Sequence, residues 1–163
     1  MGHNSKLKII AAMAITGAFL AACAPTGAPT TARTAPVAPV AASQPSEDTQ
    51  YLVENVGDRV FFATDQSNLD GSARATLRNQ AAWLNQNADI RLTIEGHADE
   101  RGTREYNLAL GARRANAVRD FLISEGVAGN RLQTISYGKE RPVSLCSEES
   151  CWSKNRRSVA TIR

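Results

Sequence analysis

The chain lacks several features that would settle a function at once. The apolar run from Ile9 to Leu20 falls short of the roughly 20 residues a membrane span requires. Aromatic residues make up 6% of the chain and there are only two histidines, His3 and His97. Lysine and arginine exceed the acids by 19 − 16 = 3, and two of the lysines, Lys6 and Lys8, precede the apolar run. Without residues 1–22 the balance falls to 3 − 2 = +1, which leaves no electrostatic footprint for nucleic acid. If His3 is also removed, one histidine remains, too few for a usual zinc site. The 163 residues leave room for one ordinary domain.

What is present divides the chain in two. Lys6 and Lys8, the run Ile9–Leu20 and the small residues Ala21 and Ala22 have the layout of an export signal. Leu20-Ala21-Ala22-Cys23 resembles a bacterial lipobox, which implies cleavage before Cys23, thioether lipidation that leaves three acyl chains on this residue, and anchorage in a membrane. Two acyl chains suffice for stable anchoring at about 0.8 kcal/mol per buried methylene, and a third makes it effectively permanent. Ala24 rather than Asp after the cysteine implies sorting to the outer membrane. Residues 23–50 are then a tether. Prolines at 25, 29, 36, 39 and 45 in an Ala/Thr/Val background break any helical or strand period. Such a composition predicts a semi-extended linker, reaching about 70 Å at about 3.1 Å per residue.

Residues 51–163 carry the periodic signals. Arg59–Ala63 reads as a strand, rich in β-branched and aromatic residues. Asp70 and Ser72 are candidate caps for a helix to about Asn87, with Ala75, Leu77, Ala81, Ala82, Trp83 and Leu84 on its apolar side. Ile90–Glu95 alternates as a half-buried strand does. Thr103 can cap a second helix that ends at Glu125 before Gly126. Leu132–Tyr137 and Ser158–Ile162 complete the set. The order β-α-β-α-β-β predicts an α/β (α+β) two-layer sandwich with both helices on one face of the sheet.

The chemistry concentrates between Gly96 and Asn116, where a strand end leads into a helix, a position at which α/β folds tend to bind ligands. At 100° per residue, Leu110, Arg114, Ala117, Val118 and Phe121 share a helix face, so Arg114 points inward and needs a partner. Asp99, in the loop leading into the same helix, is well placed to be near it. Two readings stay open: an ion pair that closes the loop onto the helix, or a clamp in which Arg114 takes a ligand carboxylate and Asp99 a ligand ammonium. Spacing alone favours the ion pair. His97 reads as a satisfied structural histidine. Glu95, Asp99 and Glu100 offer a carboxylate pair for glycan cleavage, yet nothing marks one of them as an acid with a raised pKa. Arg101, Arg104, Arg113, Arg119, Arg156 and Arg157 read either as a basic face for an anionic partner or as an ordinary solvated surface, and a third reading buries Arg157 near the loop. Trp152 reads as a cover for apolar surface. In an exported chain, Cys146 and Cys151 are expected to form a disulfide that contributes at most about 3 kcal/mol of local bracing.

Gly96-His97-Ala98-Asp99-Glu100-Arg101-Gly102-Thr103, Tyr106-Asn107 and Arg113-Arg114-Ala115-Asn116-Ala117-Val118 resemble the core signature of OmpA-like domains. Ser136–Pro142 and Ser153–Arg157 match later motifs of that family. The resemblance covers about residues 57 to 163 and implies non-covalent peptidoglycan binding without catalysis or cofactor. It reverses the preference above: Asp99 and Arg114 are implied to hold diaminopimelate of the stem peptide, with support from Asn107, Thr64 and Asp65. It further implies a periplasmic domain that ties the outer membrane to the wall, partnership with TolB and other Tol proteins, and a role in cell division. The rivals are a wall anchor outside the Tol system and a wall-cleaving enzyme.

Overall fold

The structure, a computed structural model, describes residues 46–163. The expected signal peptide, Cys23 and the tether through residue 45 lie outside the described residues. Regular structure starts earlier than the composition suggests: α1 (Glu47–Tyr51) replaces the last residues of the expected tether. The local reason is a cap. The Ser46 hydroxyl accepts from the Thr49 amide at 3.3 Å, and Glu47 and Asp48 sit at the positive end of the helix. The tertiary reason is docking, because Tyr51 stacks on Trp83 with centroids 6.1 Å apart and Leu52 is fully buried. A π-helical turn, Leu52–Val56, follows and ends at Gly57, whose φ of 91° suits glycine.

Four strands form one mixed sheet in the order β1-β4-β2-β3: β1 (Arg59–Phe61), β2 (Leu92–His97), β3 (Leu132–Gly138) and β4 (Arg157–Ile162). β2 and β3 run parallel from Leu92 beside Leu132, while β4 lies antiparallel between β1 and β2, with Val159 opposite Arg59 and Glu95. Helices α2 (Gly71–Gln86) and α3 (Arg104–Ser124) pack against each other and the sheet. Their caps are those the sequence predicts. Asp70 accepts from the Ala73 amide at 2.7 Å, and Thr103 accepts from the Tyr106 amide at 3.2 Å. Leu77, Leu84, Leu92, Ile94, Val118 and Leu122 form the centre of the core.

The buried face of α3 differs from the expected one. Leu110, Gly111, Arg114, Ala115, Val118 and Leu122 are buried, whereas Ala117 and Phe121 are only half-buried. The cause is a glycine contact. A Cβ on Gly96 would collide with the Gly111 carbonyl, and one on Gly111 would meet the Ser136 hydroxyl and the Gly96 carbonyl. The helix therefore lies backbone to backbone against the end of β2, which brings Arg114, one turn later, beneath that strand end.

The stretch before β4, expected to be a loop, contains a short helix, α4 (Glu149–Asn155). Seven residues of mixed polarity carry no apolar period, so tertiary contacts rather than pattern hold it. Cys146 and Cys151 are joined as a disulfide across its start. Asn155 closes the loop by accepting from the Val143 and Ser144 amides at 2.8 and 3.2 Å and donating to the Ser144 carbonyl at 2.8 Å.

Candidate functional site

A cavity of about 300 Å³ opens where three segments converge: the turn after β1, the loop after β2 and the first turns of α3. Thr64, Asp65, Asp99, Asn107 and Arg114, the five residues singled out from the sequence, all line it. Asp65 stands at φ 58°, a left-handed conformation that aspartate tolerates better than most residues, in a turn where the Gln66 amide donates to the Ala63 carbonyl at 3.2 Å. Its carboxylate accepts from the Tyr106 hydroxyl, which ties the β1 turn to α3 and raises the tyrosine's pKa.

Arg114 is fully buried, and among the described residues none of its hydrogen bonds goes to a carboxylate. Its Nε donates to the Gln66 carbonyl at 2.8 Å, one terminal nitrogen to the His97 carbonyl at 2.8 Å and the other to the Ala63 carbonyl at 3.2 Å. The guanidinium also lies 5.1 Å from the Phe62 ring centroid. Burial lowers its pKa to about 10, against the opposing pull of Asp99, so it remains charged at neutral pH. Three of its five N–H groups are committed to backbone and two are left over.

Asp99 takes its partners elsewhere. Arg101 donates to it twice from the side chain, at 2.7 and 3.1 Å, and once from the backbone at 3.2 Å; Arg156 adds a contact at 3.4 Å. Burial alone would raise the Asp99 pKa, but the bonds from Arg101 and Arg156 outweigh it and hold the carboxyl below its usual range. The ion pair between Asp99 and Arg114 that spacing favoured is not formed: the ion pairs of Asp99 are with Arg101 and Arg156. Two opposite charges thus face one cavity, each already anchored from behind. Asn107 anchors the loop itself, its amide nitrogen donating to the Arg101 and Thr103 carbonyls at 2.7 and 3.1 Å.

Other readings change on contact with the structure. Arg157 is buried, as one of the sequence readings allowed, and Arg156 is buried as well rather than part of an exposed basic face. Arg156 spans from the Phe62 carbonyl, at 3.0 Å, to the Glu149 carboxylate. Trp152 is half-buried, and its ring lies against the Arg101 guanidinium, whose carbon is 4.2 Å from the ring centroid. His97 is buried, but neither ring nitrogen has a hydrogen-bond partner among the described residues, and Glu95 at 3.5 Å is not placed to accept. Burial, with Arg157 and Arg141 nearby, pushes its pKa down to about 4, so the ring is neutral at pH 7.

Arg101, Gly102, Tyr106 and Leu110 also line the cavity. Tyr106 and Gly102 lie within the motif quoted above, but a loop has no periodicity from which to read side-chain direction. The contact of Arg156 with Asp99 spans 57 positions and has no local signal.

Residues 61–156 match the OmpA family. The chain is 52% identical over 156 residues to the peptidoglycan-associated lipoprotein of Mesorhizobium japonicum, a match covering 96% of this chain and 89% of that protein. It is 59% identical over 121 residues to the peptidoglycan-associated lipoprotein of Rhizobium meliloti, covering 74% and 68%. The crystal structure of the peptidoglycan-associated lipoprotein from Burkholderia pseudomallei superposes with a TM-score of 0.64 at 39% identity, over 65% of this chain and 90% of that one. The C-terminal domain of Helicobacter pylori MotB, at 21% identity and a TM-score of 0.61, shares the fold. The chain belongs to the OmpA family, and within it to the group of peptidoglycan-associated lipoproteins.

Proposed function

We propose that this protein is an outer-membrane lipoprotein, anchored through acylated Cys23, whose periplasmic domain binds peptidoglycan non-covalently and so links membrane to wall. The ligand is diaminopimelate of the stem peptide. Its ammonium faces Asp99, and its carboxylate faces the two uncommitted N–H groups of Arg114. The observation that supports this most is that Asp99 and Arg114 line one cavity without pairing with each other. Opposite charges that neutralised each other would present little to a zwitterion. Charges held separately by Arg101 and by backbone carbonyls are preorganised for one, and preorganisation reduces the ordering cost of binding. Asn107, Thr64 and Asp65 shape the walls of the site.

The names of the relatives support wall association, and the lipobox and proline-rich tether suit a link between two surfaces. On the same reading the protein works with TolB and other Tol proteins in envelope integrity and division. The deciding experiment is retention of the full chain, in detergent, by insoluble peptidoglycan. Asp99→Asn should lose retention while its thermal unfolding stays close to wild type, and free diaminopimelate should compete with the wild type. Retention of Asp99→Asn at the wild-type level would refute the site. Release of soluble wall fragments on incubation would refute a purely binding role, and failure of TolB to co-purify would place the protein outside the Tol system.

A further inference from the structure

One structural unit outside the proposed contact residues bears on them from behind. Helix α4 is pinned at its start by the Cys146–Cys151 disulfide, and the residue after Cys151 is Trp152. The Trp152 indole makes two contacts with the loop that carries Asp99. Its N–H donates to the Glu100 carboxylate at 3.1 Å, and its ring lies 4.2 Å from the Arg101 guanidinium carbon. That guanidinium is in turn the principal partner of Asp99. From the same helix Glu149 pairs with Arg156, which also touches Asp99. The loop is held on its other side by Lys139, which donates to the Glu100 and Gly102 carbonyls at 3.1 and 2.6 Å.

Arg101 is exposed over more than a third of its side chain, and a long exposed side chain ordinarily samples many rotamers. Here an aromatic face and a carboxylate hold it from two sides. Cation–π contacts favour one placement of a guanidinium over a ring. A disulfide that closes a short loop removes freedom from that segment.

We propose that Trp152, braced by the Cys146–Cys151 disulfide, is a positioning residue for the wall-binding site: it fixes the Arg101 guanidinium and thereby the orientation of the Asp99 carboxylate. The inference rests on the binding site proposed above. Trp152 does not touch the ligand; it reduces the number of arrangements open to the pair that does. Freeing one such side chain should weaken binding about three- to tenfold. Breaking the disulfide should act in the same direction, because it loosens the helix that carries the indole.

The test is a binding isotherm of the full chain in detergent on insoluble peptidoglycan, for Trp152→Leu, Trp152→Phe, Arg101→Ala, the double variant Trp152→Leu/Arg101→Ala, and Cys146→Ser/Cys151→Ser, with Asp99→Asn as reference. Trp152→Leu should weaken binding about three- to tenfold, and Trp152→Phe, which keeps a ring under Arg101, should recover most of the loss. In the Arg101→Ala background, Trp152→Leu should have no further effect, because two residues acting through one interaction are not additive. A structural role for the indole would instead give additive losses and a matching fall in thermal stability. Additive losses, unchanged binding in Trp152→Leu, or unchanged binding in the disulfide variant would each overturn the proposal. So would tighter binding, which would make Arg101 a competitor for Asp99. If Asp99→Asn itself binds normally, the site reading has failed, and that outcome is distinct from a loss in Asp99→Asn with none in Trp152→Leu.

Discussion

His97 gives the sharpest test of the packing around the strand end. The ring is buried, its nitrogens have no partners among the described residues, and its pKa is lowered from the ordinary 6.5 to about 4. In the unfolded chain the same group protonates near pH 6.5. Between pH 6.5 and 4 the unfolded state therefore binds a proton that the folded state refuses. The stabilisation is complete above pH 6.5, declines as the pH falls through this window and is exhausted below about 4. The gap between 6.5 and about 4, at 1.36 kcal/mol per unit, amounts to about 3 kcal/mol. Asp99, Glu100 and Glu149, whose pKa values are lowered, act in the same direction, but only once the pH has fallen into the ordinary carboxylate range, where the unfolded chain begins to protonate them. Titration in the window above that range thus belongs to the histidine. Urea unfolding followed at pH 7.5, 6.5, 5.5 and 4.5 should show the midpoint falling by about 1.5 M across the series. His97→Gln should flatten the profile between pH 7.5 and 5.5 whatever its own stability. Parallel profiles for wild type and His97→Gln would show that the ring is not held neutral, and the reasoning would fail.

Three further outcomes follow from the packing. Gly111→Ala should destabilise by about 2 kcal/mol or more despite alanine's better helix propensity, because its Cβ would press on the Gly96 carbonyl and the Ser136 hydroxyl; thermal unfolding checks it. Asp70→Ala should cost about 1 kcal/mol through loss of the α2 cap, with wall retention unchanged. Arg114→Lys should destabilise by about 2 kcal/mol and weaken retention as well, since one ammonium cannot serve the Gln66, His97 and Ala63 carbonyls and a ligand together. Denaturant midpoints and wall pull-down, measured on the same preparation, separate its two effects.

Element type and order, and the caps Asp70 and Thr103, were legible in the sequence because they depend on neighbours three or four positions apart. The 3.6 and 2.0 periods placed α2, α3 and the strands to within a few residues. Asp99 and Arg114 stood out for the same kind of reason, one in a loop entering a helix and the other on that helix's inward side. What each would bond to was not legible. The partners of Arg114 are carbonyls at the ends of β1 and β2, and those of Asp99 include an arginine 57 residues away. Helix α4 and helix α1 escaped notice because short helices are stabilised by a disulfide, a stacked aromatic pair or a buried side chain, none of which leaves a period. Local sequence determined which segments coil and which extend, because those choices turn on dihedral preference and nearby side chains. Tertiary structure alone decided that the two opposite charges would share a cavity rather than neutralise each other. That outcome depends on how closely Gly96 and Gly111 let a helix approach a strand, a distance set only when the chain is packed.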